Sequence, residues 1–234
     1  MTDAGHGPLA PTDRRRILLL VGPVGAGKGT QAEALSRELG LVHLASGNLF
    51  RQALRDGTEM GERARSYMER GDLVPDAITI DMFMAELARP PAKAGAILDG
   101  FPRTVTQAEA LDATLAARGE RIEKVISLEV PIEEVVARAA GRRVCPACGT
   151  PYHLSGDPPR VPGICDKDGT PLVQRDDDRP EVVRARLAKQ VPPMLEVLAH
   201  YDQAGIVARI DGTRPADEVT DAILRALRRD TGAS

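Results

Sequence analysis

All of the chain's cysteines lie in one short segment, where they form two short-spaced pairs with an aspartate. The segment "CPACG" contains Cys145 and Cys148, and "CDKD" contains Cys165 and Asp168. Two such pairs are the usual arrangement in which two turns hold one tetrahedral ion, and thiolates favour zinc. The sequence therefore predicts one closed, structural zinc site.

Two other interpretations of the cysteines remain open at this point. His153 could replace Asp168 as the fourth ligand, or Cys145 and Cys148 could form a disulfide and leave Cys165 free. A reducing compartment disfavours the disulfide. The surrounding segment has few apolar residues from which to build a core, so an ion is expected to stabilise it instead.

A second group of residues has the composition of a phosphate-binding loop. In "GPVGAGKGT", Gly22, Gly27 and Lys28 fit the pattern G-x-x-x-x-G-K between a strand and a helix. Backbone N–H groups, the helix N-terminus and the lysine charge would together bind phosphate. Gly29 replaces the hydroxyl residue that usually follows this lysine, which argues against a GTPase or a motor ATPase. The loop predicts a nucleoside triphosphate site.

Strands and helices alternate around these groups. Short apolar runs predict strands at 17–21, 96–99, 124–130 and 206–210, and apolar residues at helical spacing predict helices between them. Gly40 is a predicted C-cap, Asp76 a predicted N-cap, and Thr104 with Gln107 a predicted capping box. The alternation predicts a doubly wound α/β fold with a parallel sheet covered on both faces. No internal repeat is evident.

Composition and charge exclude several classes of function. The net charge is −3 and aromatic residues make up 3% of the chain, which argues against nucleic acid or an anionic membrane as a partner. The apolar runs are too short to span a bilayer, and Met1–Arg16 lacks the apolar stretch of a signal peptide. We therefore expect a cytoplasmic protein.

The expected domain organisation is one core with two insertions. A flexible tail at 1–16 would precede a core at 17–229, with insertions at 46–75 and 142–179 and a short tail at 230–234. The insertions are the parts in which strand and helix patterns do not alternate.

A series of motifs along the chain resembles the adenylate kinase family in its bacterial, long-lid, zinc-containing form. The resemblance covers roughly Arg16 to Leu227 and depends on "GPVGAGKGTQAE", "LASGNLFRQAL", "GDLVPD", "AILDGFPRTVTQAEAL", "GRRVCPACGTPYH", "CDKDG", "QRDDD" and "RARL". It implies a P-loop nucleoside triphosphate hydrolase-like fold, a helical AMP-binding insertion at 46–75 and a zinc-bearing lid at 142–179. It also implies the reaction MgATP + AMP ⇌ 2 ADP by direct in-line transfer, in a monomer that binds ATP, AMP and ADP.

The resemblance also implies roles for individual residues. The catalytic set is Lys28, Asp99, Arg103, Arg142, Arg175 and Arg186, in which Asp99 anchors waters of the Mg²⁺ and the cations stabilise the migrating phosphoryl group. The ATP-binding set is Gly25, Ala26, Gly27, Lys28, Gly29, Thr30, Arg138, Arg142 and Arg214. The AMP-binding set is Ser46, Gly47, Arg51, Leu73, Val74, Gly100, Arg103, Gln107, Arg175 and Arg186. The implied zinc ligands are Cys145, Cys148, Cys165 and Asp168.

Three positions qualify this comparison. Asn48 stands where the family usually has Asp, and Gly156 stands where the lid often has an aromatic residue beside the adenine of ATP. Ser46 keeps a hydroxyl where kinases for pyrimidine monophosphates commonly have Ala, which favours AMP. The alternatives are a UMP/CMP-type kinase and a zinc-ribbon ATPase that binds nucleic acid. One or two of Asp176–Asp178 are expected to orient lid arginines.

Overall fold

The structure, a computed structural model, describes residues 15–229. Its strands are β1 (Arg16–Val21), β2 (Val42–Ala45), β3 (Gly95–Asp99), β4 (Lys124–Glu129), β5 (Arg142–Val144), β6 (Pro151–His153) and β7 (Val207–Asp211). Its α-helices are α1 (Lys28–Leu39), α2 (Ser46–Arg55), α3 (Glu59–Glu69), α4 (Asp76–Ala88), α5 (Val105–Ala116), α6 (Ile132–Gly141), α7 (Pro180–Asp202) and α8 (Ala216–Arg229). Short 3₁₀ turns lie at Pro90–Lys93 and Asp176–Asp178.

Five strands form one parallel sheet in the order β2-β3-β1-β4-β7. Helices pack on both faces of the sheet, because successive apolar side chains of each strand point to opposite faces. Ile17 and Leu19 pack on one side with residues of α4, α5 and α7, whereas Leu18 and Leu20 pack on the other side with α1 and α8. The predicted α/β fold with a doubly covered parallel sheet is confirmed.

Parallel pairing brings the ends of three strands to one edge of the sheet. Asp99 at the end of β3 pairs with Ala45 of β2 on one side and with Leu20 of β1 on the other. The chain then enters the glycine loop after β1 and α2 after β2. Ligands of open α/β sheets bind at the carboxyl ends of the strands. This edge is therefore where the predicted site residues can meet.

The four predicted strands are confirmed, and β2 is a strand that the sequence did not predict. β2 has only four residues, and just one of them, Leu44, is buried. Such a short run gives no clear apolar pattern. Gly40 ends α1 as predicted, since it is left-handed and its N–H donates to Ser36 O.

Asp76 is not the N-cap of α4, as the sequence predicted. It is the first residue of that helix, after Pro75. Its carboxylate instead accepts hydrogen bonds from Thr104 Oγ1 at 3.0 Å and from Gln107 Nε2 at 2.7 Å. Thr104 does cap α5 by accepting from Gln107 N, but Gln107 Oε1 accepts from Arg103 N rather than closing the box on Thr104. Asp76 therefore ties α4 to α5.

The predicted N-terminal tail extends two residues too far. Arg15 donates to Leu87 O and Ala92 O, each at 2.7 Å, and Arg16 begins β1. Arg15 is held by carbonyls at the end of α4 and in the 3₁₀ turn Pro90–Lys93, and Arg16 is held because it pairs with Gly95 of β3. The rest of that tail and the C-terminal tail at 230–234 lie outside the described residues. Within 15–229, no helix is both long enough and apolar enough to cross a membrane.

Candidate active site and metal-binding cluster

The glycine loop joins β1 to the N-terminus of α1. Gly25 and Gly27 have left-handed φ values of 83° and 91°, and a Cβ added at Gly25 would lie 2.9 Å from Val135 O. Glycine is therefore required at position 25 for both conformation and space. Gly27 is the N-cap of α1, so the N–H groups of its first turn lie beside the loop. The predicted set Gly25, Ala26, Gly27, Lys28, Gly29 and Thr30 thus forms one continuous segment at a helix N-terminus, a geometry suited to anion binding.

Lys28 lies at the centre of a group of charged side chains. Its Nζ donates to Gly22 O and Pro23 O, both at 2.8 Å. Burial lowers the pKa of Lys28 to about 8; Asp99 opposes this shift, and three arginines add to it: Arg103, Arg142 and Arg186. The structure therefore brings five of the six predicted catalytic residues within electrostatic reach of one another.

Asp99 stays ionised at the end of β3 because of its neighbours. Burial acts to raise its pKa, but the hydrogen bond with His43 and the charge of Lys28 outweigh burial, so the pKa lies below its usual range. His43 Nε2 lies 3.3 Å from Asp99 Oδ2. The sequence did not identify His43, because only the pairing of β2 with β3 reveals it.

A cleft opens between α2, α7 and the loop after β3. Nine of the ten residues predicted to bind AMP line it: Ser46, Gly47, Arg51, Leu73, Val74, Gly100, Arg103, Gln107 and Arg186. Arg175, the tenth, is not among the lining residues and lies directly before the 3₁₀ turn Asp176–Asp178. Six further residues of the wall were not predicted: Phe50, Met68, Gly71, Asp72, Thr79 and Gln190.

Arg103 is held by three parts of the chain. Its Nε donates to Gly100 O at 2.8 Å, its Nη2 to Ser46 Oγ at 3.1 Å and its Nη1 to Gln190 Oε1 at 3.2 Å. A guanidinium has five N–H groups, and these bonds use three of them. The two remaining N–H groups are enough for a bidentate contact with a phosphate.

The second arginine of the cleft, Arg51, contacts Asn48, a position at which the sequence departs from the family that it resembles. Arg51 Nη2 donates to Asn48 Oδ1 at 2.7 Å, one turn earlier on α2. Asn48 thus orients Arg51 without adding a negative charge. An Asp at this position would compete with phosphate for the guanidinium.

One lid arginine, Arg142, is positioned from outside the cysteine segment. Arg142 forms two hydrogen bonds with Asp178, one of them from Nε to Oδ2 at 2.8 Å, and the Asp178 side chain is fully buried. Asp176 instead pairs with the exposed Arg179. The sequence could not tell which carboxylate of this acidic run holds a lid arginine, and the structure identifies Asp178.

Two predicted ATP-binding arginines meet at the loop after β7. Arg138 of α6 donates from Nη1 to Gly212 O at 2.8 Å and is also paired with Glu134. Arg214 lies in the same loop and pairs with Asp211 at 3.3 Å. Both guanidinium groups therefore lie at the loop after β7, and this loop is close to the glycine loop, since a Cβ added at Gly212 would lie 3.5 Å from Ala26 O.

The cysteine segment contains a repeat that the sequence analysis did not recognise. "CPACGTP" and "CDKDGTP" fold into equivalent turns: Cys145 N donates to Thr150 O at 3.0 Å, and Cys165 N to Thr170 O at 2.9 Å. In each turn the glycine, Gly149 or Gly169, is left-handed and bonds back to its cysteine carbonyl. Asp168 thus occupies the position in the second turn that Cys148 occupies in the first.

The ligand atoms of these two turns converge. Those of Cys145, Cys148, Cys165 and Asp168 all lie within 4.8 Å of one another, with Cys148 Sγ 3.5 Å from Cys165 Sγ. A tetrahedral zinc with bonds of about 2.3 Å to sulfur separates neighbouring sulfurs by about 3.8 Å. The four residues therefore fit one tetrahedral ion.

Neither alternative interpretation of the cysteines holds. All three thiols are free, so Cys145 and Cys148 form no disulfide. His153 does not join the cluster, because its Nε2 contacts Arg138 O at 3.1 Å and its Nδ1 accepts from Gly156 N at 3.1 Å. Gly156 thus fixes the ring of His153 through its backbone.

Comparison with known proteins agrees with this geometry. The family model described as adenylate kinase matches residues 20–206. Similar proteins named adenylate kinase occur in Staphylococcus epidermidis and Staphylococcus aureus, each 44% identical over 210 residues that cover 90% of this chain and 98% of the relative. The chain therefore belongs to the adenylate kinase family, whose members are phosphotransferases that act on nucleoside monophosphates.

Proposed function

We propose that the cleft binds AMP, that the P-loop binds MgATP, and that the cations between them stabilise the phosphoryl group as it passes from ATP to AMP. The observation that carries this proposal is the convergence of Lys28, Asp99, Arg103, Arg142 and Arg186 between the glycine loop and the cleft. Phosphoryl transfer needs in-line positioning and cationic stabilisation rather than covalent chemistry. Two sites that face one another across four cations meet that need.

AMP binds through its phosphate and its base at opposite ends of the cleft. Arg103 and Arg51 hold the phosphate, since the bonds of Arg103 to Gly100, Ser46 and Gln190 aim its guanidinium and leave capacity for two more. Gln107 contacts the adenine. Its amide bonds with Arg103 N and Asp76 use one acceptor site and one N–H, and an amide offers one more of each. Ser46, Gly47, Leu73, Val74 and Gly100 complete the wall.

ATP binds across the N-terminus of α1. The N–H groups of Gly25–Thr30 and the Lys28 ammonium hold its phosphates, which replace Gly22 O and Pro23 O as partners of Lys28. Arg138 and Arg214 border the adenine. Arg142, Arg175 and Arg186 surround the migrating phosphoryl group, and the buried carboxylate of Asp178 holds Arg142 in place.

Asp99 is suited to hold waters of a magnesium ion. Its carboxylate is ionised beside Lys28 at the end of β3. Mg²⁺ prefers oxygen ligands, keeps several waters and neutralises charge on the phosphates when it is bound with ATP.

Zinc has a structural role in the lid in this proposal. The four ligands close the coordination shell, so no position is open for a substrate.

The lid at 142–179 and the AMP-binding insertion at 46–75 are parts of one kinase domain at 17–229 in this proposal. Metal-binding thiols that stay reduced are consistent with a cytoplasmic protein, and we propose that it acts as a monomer.

The variant Arg103→Ala tests the assignment of the cleft. Its dissociation constant for AMP should rise by roughly 10²-fold or more, because a buried charge-assisted contact is lost, while that for ATP should change little. The exposed Arg118, in the turn after α5, provides the control Arg118→Ala. The same experiment should measure the turnover of AMP, UMP and CMP by the wild-type protein. Equal loss for ATP and AMP, or wild-type turnover of UMP equal to that of AMP, would contradict the proposal.

A further inference from the structure

Gln190 of α7 connects Arg103 to the loop that closes the other side of the cleft. Its Oε1 accepts from Arg103 Nη1 at 3.2 Å, and its Nε2 donates to Gly71 O at 3.1 Å. The two partners fix the amide orientation, because a guanidinium can only donate and a carbonyl can only accept. None of the motifs quoted from the sequence includes Gln190.

The loop at 70–75 packs closely on the same face of α7. A Cβ added at Gly71, where φ is +69°, would lie 2.7 Å from Arg186 Cγ. Arg186 and Gln190 are four residues apart and so share a helix face. The next residues of the loop, Leu73 and Val74, belong to the wall of the AMP cleft.

We propose that Gln190 is a positioning residue for AMP: it orients the Arg103 guanidinium towards the AMP phosphate and ties that orientation to the position of the loop at 70–75 against α7. This inference rests on the proposed role of Arg103. A neutral amide suits the task because it can bond to both neighbours without competing with the phosphate for Arg103. A carboxylate at this position would attract Arg103 and repel both Gly71 O and the phosphate.

Two variants of Gln190 should separate these effects. Gln190→Leu removes both hydrogen bonds at similar volume and should raise KM for AMP about 10-fold, the equivalent of one lost hydrogen bond to a charged group. KM for ATP and the thermal midpoint should stay close to wild type. Gln190→Glu should raise KM for AMP further.

The neighbouring Lys189 provides a matched control. It contacts the same loop through an ion pair with Asp72 at 2.5 Å, but it lies on the exposed side of α7. Lys189→Met should leave KM for AMP within about twofold, since exposed ion pairs contribute little. An equal effect of Lys189→Met and Gln190→Leu would overturn the proposal in favour of simple tethering of the loop.

A double-mutant cycle distinguishes positioning from a general structural role. If Gln190 acts through Arg103, Gln190→Leu should have little further effect on AMP binding in an Arg103→Ala background. Additive losses would overturn the inference while leaving the role of Arg103 intact. If Arg103→Ala alone leaves AMP binding unchanged, the assignment of the cleft fails, and this inference fails with it.

Discussion

The sheet and the cysteine lid reach an ordered structure by different routes. In β1, residues Ile17–Leu20 are each at most 1% exposed, and they pack on both faces against helices. The lid has one small buried cluster, Cys145, Tyr152 and Cys165 with Leu172 against it, and two of those residues are candidate metal ligands. The comparison indicates that apolar burial stabilises the sheet, whereas the lid depends on the bonds to zinc that we propose for its four ligands.

The largest effect should come from removing the charge at the P-loop. Lys28→Met should lower turnover by roughly 10³-fold or more, because a cation at the transferred phosphoryl group is lost. The sheet should stay folded, since burial already disfavours the ammonium and lowers its pKa to about 8. Single-turnover kinetics and thermal unfolding would check this, with Lys189→Met as the control. A collapse of the thermal midpoint would show that Lys28 supports the core.

In the lid, substitution of a metal ligand should lower stability rather than catalysis. Cys148→Ser or chelation should lower the thermal midpoint of the lid by about 5 °C or more, because loss of a structural metal costs several kcal/mol. Hydrogen exchange should quicken at the amides of Val144 and Cys165 but not in β1. Elemental analysis would check for one zinc per chain.

The exposed Ser155 provides the lid control Ser155→Ala. Activity of the zinc-free protein should persist at low temperature, where the lid can still order. If that protein is inactive while it binds nucleotides normally, the metal is needed for catalysis itself.

A smaller effect is expected from substitutions that test the equivalence of the two cysteine turns. Asp168→Cys would complete the second turn as a copy of the first, so zinc should be retained and the thermal midpoint should match or exceed that of wild type. Asp168→Ala should lose affinity for zinc. Competition with a chromogenic chelator would measure both, and loss of zinc from Asp168→Cys would contradict the equivalence of the turns.

The smallest effect concerns the pH dependence of ATP binding. The folded pKa of Lys28 is about 8, below its usual 10.5, so Lys28 loses its proton in the free protein as pH rises through about 8. Bound phosphates favour the charged ammonium form of Lys28. Between pH 8 and pH 10.5, the protein should therefore take up a proton when it binds ATP, and ATP binding should weaken as the pH rises. By the same linkage, free Lys28 makes folding more favourable as pH rises across that window. Calorimetry at pH 9 in two buffers would detect the proton, and Lys28→Met should abolish its uptake.

Much of the fold was predictable because its signals are local. The strands β1, β3, β4 and β7 each bring apolar residues close together in sequence, and Gly40 ends α1 where the pattern ends. The predictions that failed depend on neighbours distant in sequence. Asp76 has the residue type of a cap, but Thr104 and Gln107 bond its carboxylate, and Arg15 is ordered by one carbonyl of α4 and one of the 3₁₀ turn that follows it.

The sequence by itself determined which chemical groups are present and how they are spaced locally: the glycine loop with Lys28, the two cysteine turns, and the motifs shared with the adenylate kinase family. Only the tertiary structure decided which partners orient these groups. Arg142 meets Asp178 across 36 residues, and Arg103 meets Gln190 across 87. The physical reason is that a hydrogen bond requires contact within about 3 Å, and contact between distant residues depends on how the sheet and α7 bring the chain back upon itself.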